Sequence, residues 1–425
     1  MSGSRQKIAV IGSGISGLAS AYLLQKRFDV TLYEAGSYFG GHTNTVDIEV
    51  EGIKQAVDTG FLVFNHKTYP NLIALFKELA VDSYDTDMSF GVSVDDGQIE
   101  WAGTNLDTVF AQRKNIISPA FINMLRDILR FNKDAEKNLA QSLISKINLG
   151  DLLKQGGYNQ RFQDHYLVPM AAAIWSSSPK DILDFPASTF LRFCLNHALL
   201  QVNDRPTWKT VKGGGRTYVN KILATLPDKR LNAPVDSVQR RDGKVEVSAL
   251  NGIESYDQVV FATHAPTSLS LLKDANPDER RVLTQFRYQA NRAVLHTDTN
   301  LLPKNQKVWS AWNYIGKRAD DNGSAVCVSY LLNQLQRLDV KTPVIVTLNP
   351  SIEPDPSKVL RSFDYEHPIF DQAAIDGQTE LTNIQGRNQV WFAGAWSGYG
   401  FHEDGLKSAL RVARGLDAEP EWTTL

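Results

Sequence analysis

Near the start of the chain, three glycines and one carboxylate stand at a spacing that can hold a phosphate and a sugar. Gly12-Ser-Gly14-Ile-Ser-Gly17 follows the apolar run Ile8 to Ile11, and Glu34 comes twenty residues after Gly14. Gly12 permits a tight turn. Gly14 lacks the Cβ that would keep a pyrophosphate from the backbone. Gly17 lets a following helix pack closely on the sheet. The first N–H groups of that helix, at Ile15 and Ser16, then face the phosphates, and the helix dipole favours negative charge there. A carboxylate at Glu34 can accept from a ribose diol and would repel a 2′-phosphate. Near the other end, Tyr399, His402 and Glu403 lie in the glycine-rich stretch Gly394 to Gly405. His402 could accept or orient a proton, and a histidine that merely holds the loop is the competing reading. Glu403 could cap a helix or meet a cofactor hydroxyl. Trp175, Trp396 and Tyr399 could line an apolar channel or pack in a core. His42 and His264 are expected to be structural. No Ser/His/Asp arrangement and no metal-ligand spacing is present, so neither a protein nucleophile nor a metal is expected.

The elements that must position these groups are legible beside them. Ile8–Ile11 is long enough for one buried strand, Leu18–Lys26 has helical composition, and Val30–Tyr33 is a second β-type run ending at Glu34. Strand, glycine turn, helix, strand and acid fit within about thirty residues, the size of a dinucleotide-binding unit. At the C-terminal end, Gln389–Ala393 reads as a strand and Leu406–Leu416 as a helix. No second acidic strand end follows. This segment is therefore expected to return to the first unit, its helix N-terminus aimed at the same cofactor.

Between these ends, Asn71–Leu79 has helical spacing, and the chain looks helical from Asp107 to about Ser145, with Pro119 starting a helix. Phe121, Ile122, Leu125, Ile128, Leu129 and Phe131 give that helix a broad apolar face flanked by Arg126, Arg130, Lys133 and Lys137. Packing on its own domain is the favoured role; contact with a lipid surface is the alternative. Asp164–Ala173 and Ala187–Leu200 add helices. Asp242-Gly243 marks a hairpin, and residues 290–350 alternate between β-type runs and turns. No repeat or low-complexity tract is present.

Composition bounds the function classes. A chain of 425 residues exceeds one ordinary core. Net charge of −2 removes any electrostatic case for nucleic acid. Cys194 and Cys327 are distant and in no motif, as expected of buried thiols in a reducing compartment. No apolar run is long enough to span a bilayer, and the first residues lead straight into a strand. The expected location is cytoplasmic, with peripheral membrane contact as an option.

The sequence resembles the flavin amine-oxidase superfamily, which includes monoamine oxidases, protoporphyrinogen oxidases and phytoene desaturases. Four segments carry this: Gly12–Glu34, Gly40-Gly41, Phe261-Ala-Thr-His-Ala-Pro266, and Phe392-Ala-Gly394 through Gly405. It is also similar to a bacterial subgroup of NAD/FAD-binding proteins associated with cyclopropane-fatty-acid-synthase-like methyltransferases. The matching stretches are Asp58–Asn65, Ile174–Ser176, Phe185–Ala187, Asn196-His197 and Gly400–Gly405.

The resemblance implies an α/β fold with a discontinuous Rossmann-like FAD-binding domain (1–85, 205–265 and 386–425) and a mixed α+β substrate domain (86–204 and 266–385). It implies cofactor contacts at Gly12, Gly14, Ile15, Ser16, Gly17, Glu34 and Ala35. Further contacts are implied at Gly40, Gly41, His42, Thr43, Thr59, Gly60, Phe61, Val235 and Thr263, and in the closing segment at Gly394, Phe401, Glu403, Gly405 and Leu406. His402 and Tyr399 are the catalytic candidates. Many amine oxidases have Arg where His42 stands, and no cysteine lies in the C-terminal loop, so FAD is expected to bind noncovalently. The expected activity is FAD-dependent dehydrogenation of an apolar substrate such as a methylated fatty-acyl chain, in functional partnership with a fatty-acid methyltransferase. Amine oxidation, and a flavin-binding accessory role without turnover, are the alternatives.

Overall fold

The computed structural model describes residues 5–175, 178–201, 206–250, 252–316 and 327–424. The strand Lys7–Ile11 lies at the centre of a five-stranded parallel sheet. It pairs with Asp29–Tyr33 on one side and Gln258–Phe261 on the other, and Asp228–Arg230 and Val390–Phe392 complete the edges. Continuous apolar runs suit a parallel sheet because both faces are covered. Ile8, Val10 and Val260 face one core, shared with the helices Ile15–Leu24 and His402–Gly415. Ala9, Ile11, Val259 and Phe261 face another.

That second face is covered by the antiparallel strands Val235–Arg241, Lys244–Ala249 and Gly252–Tyr256. The hairpin turn falls at Asp242-Gly243, both with positive φ (51° and 74°), the conformation a tight two-residue turn requires. Helices Ala265–Leu271, Pro277–Leu283 and Gln372–Glu380 bring Ala265, Val282, Leu283 and Ala374 into the same core. The boundaries read from the sequence place these helices in the substrate part. They pack on the parallel sheet instead, because its second face needs apolar cover.

A seven-stranded sheet forms the rest of the scaffold. Its order is Val359–Ile369, Arg287–His296, Ile345–Leu348, Cys327–Leu331, Trp312–Gly316, Phe90–Val94 and Ile99–Ala102. All neighbours are antiparallel except the pair Trp312–Gly316 and Phe90–Val94. Helices Val168–Trp175 and Ala187–Asn196 share its core. The helix Pro119–Lys133 starts at Pro119, is capped by Ser118, and buries Phe121, Met124 and Phe131. Its apolar face therefore packs mainly within the protein, although Leu129 stays 59% exposed. Ser176 of the Ile174–Ser176 stretch, and Val326 beside the strand Cys327–Leu331, lie outside the described residues. Among the described residues, no helix is long and apolar enough to cross a membrane.

Candidate functional site

The glycine turn forms an open cradle. Gly12 has φ of 99°, and a Cβ there would lie 2.7 Å from the Ala262 carbonyl oxygen, so no other residue fits this corner. A Cβ at Gly17 would lie 1.8 Å from the Gly12 carbonyl oxygen, which lets the helix start directly against the turn. Gly14 is different: no protein atom lies within 4 Å of the position its Cβ would take. That space opens into a cavity of about 490 Å³ lined by Gly12, Gly14, Ile15, Ser16 and Glu34. Gly14 is the N-cap of the helix Ile15–Leu24, and no side chain caps it. Its first N–H groups are thus directed at the cavity with no carboxylate in the first turn, a ready anion site. Glu34 accepts from Ser13 N (3.0 Å), Ser13 Oγ (2.5 Å) and Gly36 N (2.7 Å). A carboxylate has about four acceptor positions, which leaves capacity for a hydroxyl.

The next cofactor segment turns over the cradle. Gly41, with φ of 58°, would place a Cβ 3.1 Å from Gly14 Cα. His42, Thr59, Gly60, Phe61 and Thr263 continue the wall. His42 Nε2 is buried and has no hydrogen-bond partner. Burial, with His367, His264 and His402 nearby, holds His42 well below the ordinary histidine range, so it is neutral. An uncapped helix start, an empty cradle at Gly14, a strand-end carboxylate and an orphaned ring nitrogen together fit a bound dinucleotide.

The C-terminal loop closes the cavity from the far side with Gly394, Tyr399, Phe401 and His402. His402 stacks on Phe61 at 3.7 Å between ring centres, and its Nε2 lies 2.9 Å from Thr43 Oγ1 and 3.3 Å from Tyr218 OH. Burial pushes it down to about 3. It is a neutral ring tied to two hydroxyls, so its visible work is to clamp the closing helix to the Gly40–Thr43 turn. Tyr399 faces the cavity 5.6 Å from Phe193. Trp175 and Trp396 also line it.

Several residues expected at the cofactor stand behind the wall. Glu403 is the clearest correction: its carboxylate accepts from Asn71 N, Asn71 Nδ2 and Leu72 N, and so caps the helix Pro70–Glu78. Gly405 marks a close helix crossing, where a Cβ would lie 2.7 Å from Ile15 Cγ2. Leu406 is fully buried beside it. Gly40 turns the chain with φ of 127°, Thr43 serves Tyr218 and His402, and Gly17 supports the turn. Ala35 is exposed and Val235 opens an antiparallel strand; neither lines this cavity. The closing helix does not aim a free N-terminus at the cofactor either. Its own Asp404 accepts from Phe401 N at 3.0 Å, so the first helix is the better anion site.

From the cradle the cavity runs across the seven-stranded sheet. Its walls take Tyr365 and His367 from Val359–Ile369, Tyr288 from Arg287–His296, and Leu348, Tyr330 and Trp312 from the next three strands. Trp175, Phe193, His197 and Leu199 face them from the helical side, with Leu62, Val63 and Met88 between. The sequence reading singled out none of His367, Tyr330, Trp312 and Leu348, although the last three fall in the stretch 290–350 that it read as β-type runs and turns. One signal was available: Phe363, Tyr365, His367 and Ile369 alternate with Asp364 and Glu366, the period of a half-buried strand.

The sequence profile of the flavin-containing amine oxidoreductases matches residues 15–416. The chain belongs to this family. A flavin is accordingly its cofactor class, and flavin-dependent oxidoreductases are its functional class. Its fold is shared with a CLA-producing fatty acid isomerase from P. acnes, at 15% identity and a TM-score of 0.68, covering 96% of this chain and 98% of that one. A cyclohexylamine oxidase from Brevibacterium oxydans superimposes with a TM-score of 0.66, also at 15% identity, over 97% of this chain and all of that one. A carotenoid phi-ring synthase from Chlorobaculum tepidum is 32% identical over 139 residues, 30% of this chain and 20% of that protein. The match thus spans about a fifth of that relative's length.

Proposed function

We propose that the protein binds FAD noncovalently and dehydrogenates a long apolar chain, of which a methylated fatty-acyl group is the best-fitting class. The observation that carries this is the cavity crossing the sheet. Its wall runs from Tyr365 through Tyr288, Leu348 and Tyr330 to Trp312, on five adjacent strands. Four strand spacings of about 4.8 Å make this roughly 19 Å, far more than a simple amine needs. The charged carboxylates in the wall are Glu34, in the cradle, and Glu366, which pairs with His264 at 3.1 Å. An unactivated chain offers little to hydrogen-bond, so shape and burial must position it.

When bound, the flavin supplies a two-electron acceptor for hydride. The chain's own residues do the rest. The Ile15–Leu24 helix start and Gly14 would hold the pyrophosphate, and Glu34 would hold the ribose. Phe193, Tyr399 and Phe401, packed on one another in the cavity wall, would help to exclude water. Cys194 and Cys327 are buried and neither lines the cavity, which supports noncovalent attachment. The isomerase neighbour, whose substrate is a fatty acid, and the carotenoid-ring relative both fit an apolar ligand; the amine oxidase neighbours favour the alternative. A methyltransferase acting on acyl chains would supply the substrate. Exposed Ile117, Leu129 and Ile144 with Arg126 and Lys133 suit peripheral contact with a membrane.

The test is anaerobic bleaching of the flavin at its visible band. Methyl-branched or unsaturated phospholipids should bleach it and primary amines should not. Bleaching by amines alone would replace this reading with amine oxidation. No bleaching by either class would favour an accessory role.

A further inference from the structure

Removing two hydrogens from adjacent carbons needs a proton acceptor as well as a hydride acceptor. Resting on the dehydrogenation reading above, we propose that His367 is that proton acceptor. It stands where the two parts of the cavity meet. On one side its ring centre lies 5.2 Å from that of His42, which continues the chain from Gly41 over the cradle. On the other side Phe370, three residues further along the chain, lines the apolar wall. The reacting carbons of a chain lying against the cofactor must pass this junction.

The surroundings of His367 suit the role. It lines the cavity, and no hydrogen bond fixes its ring among the described residues. His402 is tied to Thr43 and Tyr218, so it is less free to take a proton; His42, with a ring nitrogen that also lacks a partner among the described residues, stacks on Tyr365 at 4.9 Å over the cradle. Burial, with His264 nearby, pushes His367 down to about 4, which keeps it unprotonated at neutral pH. The titratable groups around it are His42, His264 and Tyr365, with Glu366 next in the chain. His264 Nδ1 lies 3.1 Å from Glu366 Oε2, and their side chains are 36% and 58% exposed. That pair offers the proton a way to solvent.

The step balances as follows. One C–H bond breaks and its hydrogen leaves with both electrons for the flavin. The neighbouring C–H bond breaks, its proton passes to a ring nitrogen of His367, and its electron pair becomes the second bond of a new C=C. The substrate loses two electrons and two hydrogens; dioxygen or a quinone-type acceptor later removes the electrons from the flavin.

The test compares wild type with His367→Gln, using cis-monounsaturated and methyl-branched phosphatidylcholine in micelles as probes. In stopped-flow reduction of the bound flavin, the wild-type rate should be flat near neutral pH and fall through one ionisation well below it. The variant should be at least ~100-fold slower, the lower end for a general base, and without that ionisation. Dithionite should reduce both proteins equally, and probe binding, read from flavin band shifts, should be unchanged. Independently of turnover, diethyl pyrocarbonate mapped by peptide mass should modify His367, and bound probe should protect it. A variant with wild-type rate and pH profile, or a His367 that resists modification without ligand, overturns the proposal. A wild-type flavin that no phospholipid bleaches overturns the dehydrogenation reading, and this proposal with it; that outcome is visible in the wild-type arm alone.

Discussion

The carboxylate of Glu403 accepts from both the backbone and the side-chain nitrogen of Asn71, at 3.1 and 2.7 Å. Residues 332 positions apart are thereby joined, and the closing helix is fastened to the helix Pro70–Glu78. Both side chains are buried. Glu403→Gln keeps the shape but removes the charge and turns an amide toward donors. The expected loss of stability is about 1.5–3 kcal/mol, read as a lower urea midpoint, with little change in flavin affinity once folded. A large loss of flavin affinity at unchanged stability would restore Glu403 to the cofactor site.

Gly14 and Glu34 separate two kinds of cofactor contact. Gly14→Val has room to fold, since no protein atom lies within 4 Å of the new Cβ, yet it would fill the phosphate cradle. It should retain native circular dichroism and lose flavin altogether. Glu34→Ala should weaken FAD binding roughly ten- to a hundredfold, the equivalent of about 1.5–3 kcal/mol. Part of that loss would come from the turn, because Ser13 and Gly36 lose their acceptor. Fluorescence titration of the apoproteins measures both.

The nucleotide half of the site was legible because its signals are local. Gly12, Gly14, Gly17 and Glu34 fall within one strand–helix–strand unit, whose glycine spacing can be read without knowing any distant contact. The substrate half was not. Tyr365, Leu348, Tyr330 and Trp312 meet only through strand pairing, as in the register Trp312 opposite Tyr330, and no spacing in the sequence encodes which strands become neighbours. Glu403 and Gly405 misled for a related reason. They stand in the first turn of the helix His402–Gly415, just after a loop that does reach the cofactor site, but the helix crossing turns their side away from it.

Asp58 gives a pH signature. It is fully buried, and burial pushes its carboxyl up to about 6 despite hydrogen bonds from Thr45, Gly215 N and Gln336. A carboxyl whose folded value is raised holds its proton more tightly when folded. Its contribution to stability is therefore present in full below the unfolded value of 3.8 and is lost as pH rises through about 6. The change is on the order of 2–3 kcal/mol. Asp404, also raised to about 6 by burial, adds in the same direction. Urea unfolding between pH 4 and 7 should show stability falling with pH in the wild type and falling less in Asp58→Asn. An identical slope in both would show that Asp58 stays ionised throughout.

Leu348 lies midway along the cavity, on the strand Ile345–Leu348. Leu348→Trp should block the far half without touching the cradle. FAD affinity should hold, while the longest acyl chain that perturbs the flavin band should shorten by several carbons. Unchanged chain-length preference would mean that the substrate does not extend toward Trp312.

The order of strands in the parallel sheet has a consequence for synthesis. Its central strand is made some two hundred and fifty residues before one neighbour, Gln258–Phe261. The edge strand Val390–Phe392 and the clamp His402 come more than a hundred residues later still. On the ribosome the glycine turn must therefore wait, half its sheet missing, while the intervening chain emerges. Pairings this distant in sequence form slowly, and unpaired apolar strands are exposed to aggregation meanwhile. Because a ligand that binds only the assembled fold draws the equilibrium toward it, the supply of flavin when the last strand and the clamp emerge should govern how much of this protein a cell recovers in native form.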